Sequence, residues 1–302
     1  MTGDARPTLV VLGAFGQVGR ALAALPPPPG WRVRLAARPE IDITRRAELD
    51  ALLQDVQTGL VVNAAAYTKV EQAESEVAAA FAVNRDGAGN AAAAAAARGL
   101  PILHISTDFV FDGRKSGAYD ETDAPLPLSV YGASKLAGEV AVAAVNPRHL
   151  ILRTAWVFSA HAACFPRAIF RKLAKQPEVQ VVDDEVGCPT AAEHIAEIIV
   201  ALAPGLAMRA AGDPAFGLFH LGGLPVVSRL IFAEAVAAES RRQGIGLVGN
   251  LVPCRSSFFA GGVQRPANSA LSSAKFTAIH RLPAPDWRSI LPACVKTYGE
   301  TA

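Results

Sequence analysis

Thr8-Leu9-Val10-Val11-Leu12-Gly13-Ala14-Phe15-Gly16-Gln17-Val18-Gly19 is a short apolar run that closes on three glycines, each three residues from the next. The run reads as a buried strand, and Gln17 to Leu25 carries good helix formers until Pro26-Pro27-Pro28-Pro29-Gly30 stops them. A strand, a glycine turn and a helix in that order form a leading β-α unit. In such a unit the backbone turns tightly and approaches a pyrophosphate at the helix N-terminus. A glycine triplet alone also fits a purely structural turn; its place in the leading unit is what favours a dinucleotide.

The same rhythm continues outward. Trp31 to Ala36 reads as a second strand, Thr44 to Gln54 as a helix opened by a Thr cap, and Leu60 to Asn63 as a third strand. Glu74 to Asn84 and Gly87 to Arg98 are helical by composition, and Pro101 to Ser106 is a buried strand. Ser129 to Val145 is a further helix, followed by a strand at His149 to Arg153. This alternation predicts the α/β class: a Rossmann-type doubly wound parallel sheet with helices on both faces.

Beyond Phe158 the rhythm loosens into Phe165 to Ala174 (helix), Val179 to Val182 (strand), Ala191 to Leu202 (helix), Gly217 to Leu221 (strand) and Arg229 to Arg242 (helix). We expect residues 1–158 to form the NAD(P)-binding domain, with 191–203 returning to it. Residues 159–302 then form mainly a smaller mixed α/β substrate-binding lobe. No repeat of fixed period is visible.

Bulk composition narrows the function classes. The 302 residues carry 29 Lys+Arg against 27 Asp+Glu, a net charge of +2. No broad field therefore points to nucleic acid or an anionic membrane, and an anionic ligand must be held locally. Apolar runs such as Ala91 to Ala97 stop far short of the roughly 20 residues that span a bilayer. Met1 to Pro7 has no charged segment followed by an apolar one, so a cytoplasmic protein is expected. Cys164, Cys188, Cys254 and Cys294 are scattered without a C-x-x-C pair, and the histidines lack metal-type spacing. Reduced thiols and no required metal are the expectation.

Four positions carry the chemistry. Arg38 follows the second strand, where an acidic residue would normally hold the adenosine ribose, and an arginine there suits a 2′-phosphate; a solvated loop arginine is the competing account. Asn63-Ala64-Ala65-Ala66-Tyr67-Thr68 closes the third strand with small residues that leave room for a cofactor, or that simply pack close. Ser106-Thr107-Asp108 ends the fourth strand, where the Thr107 hydroxyl can reach a ligand carbonyl and Asp108 can orient ligand hydroxyls; turn capping is the alternative. Tyr131 and Lys135 lie four apart, so a helix stacks them on one face. A positive charge beside the phenol would lower its pKa from about 10 toward a useful range. The order of cofactor loop, strand-end hydroxyl and Tyr-x-x-x-Lys helix is what hydride transfer to a carbonyl requires.

With these residues in place the chain resembles the dTDP-4-dehydrorhamnose reductase family of extended short-chain dehydrogenases/reductases. The resemblance rests on Gly13 to Gly19, Val62 to Thr68, Val70-Glu71-Gln72-Ala73-Glu74, Ser106 to Gly113, Tyr131 to Glu139, Arg153 to Phe158, Asp184 to Thr190 and Arg265 to Leu271. It implies reduction of the C4 keto group of dTDP-4-dehydro-L-rhamnose, with NADPH or NADH as donor. Tyr131 would give the proton, Thr107 would hydrogen-bond the same oxygen, and Lys135 would tune the phenol and hold the nicotinamide ribose. By the same correspondence Gly16, Gln17, Val18, Asp42, Ile43, Ala66, Tyr67 and Thr68 fall on cofactor positions. Thr107, Asp108, Tyr131, Lys135 and Trp156 fall on sugar-nucleotide positions, and Arg265 faces the substrate diphosphate or completes the pocket.

The chain departs from the family pattern at Glu185-Val186, where Gln and an aromatic are common, and at Cys188, where a small residue is usual. These departures bear on the sugar more than on the reaction. A reductase of another 4-keto-6-deoxy nucleotide sugar and a non-catalytic nucleotide-binding regulatory subunit remain the alternatives. A homodimer is compatible with the family.

Overall fold

The computed structural model describes residues 6–259 and 262–301. The first five residues, on which the expectation of no export segment partly rests, lie outside the described residues. The first half alternates β1 (Thr8–Leu12), α1 (Gln17–Ala24), β2 (Arg32–Ala36), α2 (Arg46–Leu53), β3 (Gly59–Asn63), α3 (Val70–Ala73), α4 (Val77–Phe81), α5 (Ala88–Ala97), β4 (Ile102–Thr107), α6 (Val130–Val145) and β5 (His149–Thr154). There follow β6 (Val157–Phe158), α7 (Phe165–Leu173), β7 (Glu178–Val182), β8 (Val186–Gly187), β9 (Thr190–Ala191), α8 (Ala192–Met208), β10 (Gly217–Leu221), β11 (Val227–Ser228), α9 (Arg229–Arg242), β12 (Asn250–Cys254), α10 (Ala274–His280) and α11 (Leu291–Glu300).

Six strands make one parallel sheet in the order β10-β5-β4-β3-β1-β2. β1 and β3 are buried at every residue, which is why they read as unbroken apolar runs rather than alternating ones. Successive residues face opposite sides of the sheet. Leu9, Val11, Leu60 and Val62 pack with α1 and α8, while Val10, Leu12 and Val61 pack with the apolar faces of α2 and α5. The chain leaves β1 for β2 on one side and β3 on the other. This reversal opens a crevice at the strands' carboxyl ends, the usual ligand position in such sheets.

Several local expectations need correction. The helix expected from Thr44 begins at Arg46 with Arg45 at its cap; the Thr44 hydroxyl and amide are both spent on Asp42 Oδ1. The segment expected as two helices from Glu74 to Arg98 divides into α4, a π-helical stretch at Ala82–Gly87, and α5, and the short α3 precedes it. The helix expected to end at Leu202 runs to Met208 with Pro204 inside it. β10, read only as an isolated strand, closes the far edge of the main sheet beside β5. β6, α7, β9, β11, α9 and α11 gather around Phe158, Phe170, Phe232, Trp287 and Tyr298, a separate aromatic core.

Candidate active site

The crevice is a cleft of about 820 Å³. Its floor is the turn after β1. Gly13 has φ 81°, and a Cβ there would lie 2.5 Å from the Ala65 amide nitrogen. Gly16 is the N-cap of α1, with no side-chain cap and no acidic residue in the first turn, so the positive end of the helix is open to an anion. Gln17 donates to the Val157 carbonyl at 3.3 Å, which leaves its buried Oε1 without a partner. These features fit a dinucleotide: a backbone cradle that any side chain would fill, and unmet polar groups around it.

Of the cofactor positions named from sequence, Gly13, Gly16, Gln17, Val18, Arg38, Ile43, Ala66, Tyr67 and Thr68 line this cleft. Gly19 and Asp42 do not. Gly19 lies behind the turn, where a Cβ would come 2.3 Å from the Gly13 carbonyl oxygen. Asp42 reaches the cleft only through Arg38, whose Nε lies 3.0 Å from its Oδ2. Against the burial that pushes the Asp42 carboxyl up, hydrogen bonds from Thr44 and the Arg38 charge hold it below its ordinary value. No acidic side chain lines the end of β2; Ala36, Ala37 and Arg38 do.

Thr107, Asp108, Tyr131, Lys135, Trp156 and Arg265 line the same cleft. β4 ends at Thr107, whose hydroxyl donates to Asp108 Oδ1 at 2.9 Å and accepts from the Phe109 amide at 3.2 Å. The Asp108 Oδ2 is buried with no partner at hydrogen-bond distance. Burial raises the Asp108 carboxyl, and the nearby Ser269 and Thr107 hydroxyls partly offset this. Ser129 caps α6 through the Gly132 amide at 3.1 Å, which sets Tyr131 in the first turn with Phe109 edge-on to its ring at 5.4 Å.

The electrostatics differ from the simple expectation. Burial pushes the Tyr131 phenol up to about 12, the Thr107 hydroxyl pulls it back, and the Asp108 charge raises it further. Lys135 does not lower it: its Nζ donates to the Ile105 carbonyl at 2.7 Å, and burial brings the ammonium down to about 8 with Glu139 opposing. Desolvation outweighs the Thr107 hydrogen bond at Tyr131 and the Glu139 charge at Lys135. The Tyr131 phenol is therefore protonated at neutral pH, and Lys135 is a cation close to its titration point.

Sequence reasoning missed Arg229. Glu185, a departure from the family pattern, pairs with Arg229, Nε to Oε2 at 3.4 Å. The guanidinium carbon lies 3.5 Å from the Trp156 ring centroid. No local motif marks this residue, because only the tertiary fold brings the start of α9 to the cleft. A second cavity of about 840 Å³ adjoins the first and shares Phe165, Arg229 and Arg265 with it. Among the described residues no group of three or more His, Cys, Asp or Glu side chains could hold a metal ion, the four cysteines are free, and no helix is long and apolar enough to cross a membrane.

The RmlD substrate binding domain family matches residues 7–300. The dTDP-4-dehydrorhamnose reductase of Burkholderia thailandensis is 41% identical over 95% of this chain and 98% of its own length. That of Sinorhizobium fredii is 38% identical over 92% of this chain and 93% of its own. Among solved structures, dTDP-4-dehydrorhamnose reductase from Bacillus anthracis in complex with NADP superposes with a TM-score of 0.86 at 26% identity, covering 98% of this chain and 100% of that one.

Proposed function

The chain belongs to the RmlD substrate binding domain family, and on that footing we propose that it is an NADPH-dependent oxidoreductase that reduces the C4 keto group of dTDP-4-dehydro-L-rhamnose to give dTDP-L-rhamnose. The observation that carries this reading is the meeting of Thr107, Tyr131 and Lys135 with the Gly13 turn in one cleft. The cofactor, when bound, supplies the hydride. Gly13, Gly16, Gln17 and Val18 would hold its pyrophosphate and Arg38 its 2′-phosphate, with Ile43, Ala66, Tyr67 and Thr68 along its length.

In the mechanism we assign, Tyr131 keeps its proton until an alkoxide develops beside it. A phenol near 12 is a stronger acid than the alcohol being formed, so it gives its proton to the alkoxide and is left as the phenolate. Thr107, whose hydroxyl proton lies on Asp108 Oδ1 in this structure, would turn it to the same oxygen and stabilise the developing charge. Lys135 contributes a buried cation held by the Ile105 carbonyl, and Asp108 and Trp156 shape the sugar's seat. We assign residues 1–158, with α8 and β10, to the dinucleotide domain and most of the remainder to the substrate lobe. A cytoplasmic enzyme, a homodimer, and the lack of nucleic-acid or membrane partners belong to the same proposal.

Consumption of NADPH on addition of dTDP-4-dehydro-L-rhamnose tests the activity. A panel of 4-keto-6-deoxy nucleotide sugars tests the substrate, because the physiological sugar gives the highest kcat/KM. Unchanged NADPH absorbance with every sugar would leave the non-catalytic alternative standing.

A further inference from the structure

The block Val70-Glu71-Gln72-Ala73-Glu74 has no part in the chemistry assigned above. It folds as the short α3 with Glu74 at its C-cap, and the acids of this segment reach three different places. Glu71 Oε1 accepts from Arg265 at 2.7 Å, which ties α3 to the loop before α10. Glu76, two residues beyond the block, accepts from the Tyr67 hydroxyl at 2.8 Å, and Tyr67 lines the cleft. Glu74 Oε1 accepts from the Val130 amide at 2.8 Å, 56 residues away in the chain. Of the three contacts, this one falls on the helix that carries the phenol.

A helix leaves its first amides without partners of its own, and acceptors must come from elsewhere. At the start of α6 the Ser129 hydroxyl takes the Gly132 amide at 3.1 Å and Glu74 takes the Val130 amide. α6 has no acidic residue in its own first turn, so the carboxylate at the positive end of its dipole is supplied by α3. Tyr131 stands between these two bonded amides. The same turn lies hard against the segment after β4: a Cβ on Gly132 would come 2.2 Å from the Phe109 carbonyl oxygen, and the Phe109 ring is edge-on to the phenol. Ser134 donates to the Tyr131 carbonyl at 2.8 Å, and Asn84 donates to Ser134 at 2.9 Å. The Ser129 and Ser134 bonds to α6 move with the helix. Asn84 anchors it on the buried side, and Glu74 anchors it at the exposed rim, one residue before the phenol.

We infer that Glu74 is a positioning residue for the proposed reduction: by accepting from the Val130 amide it sets where the Tyr131 phenol stands relative to Thr107 and the substrate ketone. The inference rests on the reading of Tyr131 as proton donor. A proton donor must come within about 2.6–3.2 Å of the oxygen it serves. A shift of about 1 Å caused by a change away from the chemistry costs up to about 10²-fold in rate. Glu74 accepts from a backbone amide of α6 and lines neither cavity, so its loss falls on kcat rather than on binding.

The test compares Glu74→Ala, which removes the acceptor, with Glu74→Gln, which keeps an acceptor oxygen and drops the charge. In the full chain, Glu74→Ala is expected to lower kcat for dTDP-4-dehydro-L-rhamnose about tenfold, with the sugar's KM and the calorimetric affinity for NADP within about twofold of wild type. Its solvent deuterium isotope effect on kcat rises, because transfer from a displaced phenol takes a larger share of the barrier. Hydrogen exchange at the Val130 amide becomes faster. Glu74→Gln restores kcat, the isotope effect and the protection of Val130. Glu74→Asp, one methylene shorter, gives the same changes in smaller measure and provides the reading if Glu74→Ala does not fold. Wild-type kcat and isotope effect in Glu74→Ala and Glu74→Asp overturn the inference, as does a Glu74→Gln variant no better than Glu74→Ala. If wild-type protein reduces no sugar, the reductase reading fails; faster Val130 exchange in Glu74→Ala then still upholds the hold of Glu74 on the first turn of α6, and unchanged exchange overturns it.

Discussion

Burial sets Lys135 near 8 and Tyr131 near 12, four residues apart on one helix, and the two therefore respond to pH separately. As pH rises through about 8, Lys135 loses its charge while Tyr131 keeps its proton. If the ammonium holds the cofactor, kcat/KM for NADPH falls above that pH. Lys135→Arg, charged at all accessible pH, removes this limb. A limb near the ordinary lysine value of about 10.4 would contradict the assignment. Arg38 offers a second check. It is exposed and among the described residues is tied only to Asp42, so Arg38→Ala should cost little stability and raise the KM for NADPH about tenfold, with NADH nearly unaffected. Kinetics with both cofactors decide this. The glycine turn and the Tyr-x-x-x-Lys pair were legible because each is local. Arg229 was not, since its partner Glu185 is 44 residues away in the chain.

At the scale of elements, α6 is fastened to the sheet by charge as well as by packing. Arg153 of β5 grips Glu139 with two hydrogen bonds, at 2.9 and 2.7 Å, and Ser106 of β4 donates to the same carboxylate. The Arg153 side chain is 3% exposed and that of Glu139 6%. Removing one member strands the other in a dry interior. Glu139→Ala should therefore lower unfolding free energy by about 3–5 kcal/mol, and replacing both with apolar residues of similar volume should recover most of it. Denaturant midpoints for the single and double variants measure this; a single variant as stable as wild type would show that water reaches the pair. The helix read from Ser129 to Val145 differs from α6 by one residue, because Ser129 is its N-cap. The start of α2 differs from the expectation for a physical reason: Thr44 donates its amide and its hydroxyl to Asp42 Oδ1, and no side chain accepts from the first amides of the helix.

Across the whole molecule, β10 joins halves that the sequence left separate. His220 on that strand is buried, with Nδ1 3.1 Å from the Tyr119 carbonyl oxygen and Nε2 3.4 Å from Arg153. Burial, then the Arg153 charge, depress it from 6.5 to about 4. The unfolded chain therefore binds the proton more readily, so stability is full above about 6.5 and is lost as pH falls toward about 4, by at most about 3 kcal/mol for this group. His220→Gln should flatten the acid limb of the urea midpoint, and an unchanged slope would assign the loss to other groups. The parallel sheet was legible from its apolar runs, whereas its far edge was not, because Gly217–Leu221 carries no mark of which sheet it completes. The central claim is that Tyr131 delivers the proton in this cleft, and turnover of dTDP-4-dehydro-L-rhamnose by Tyr131→Phe tests it most directly. The account predicts that kcat falls by about 10²–10⁴ while NADPH still binds within about twofold of wild type. Wild-type turnover in that variant would contradict it.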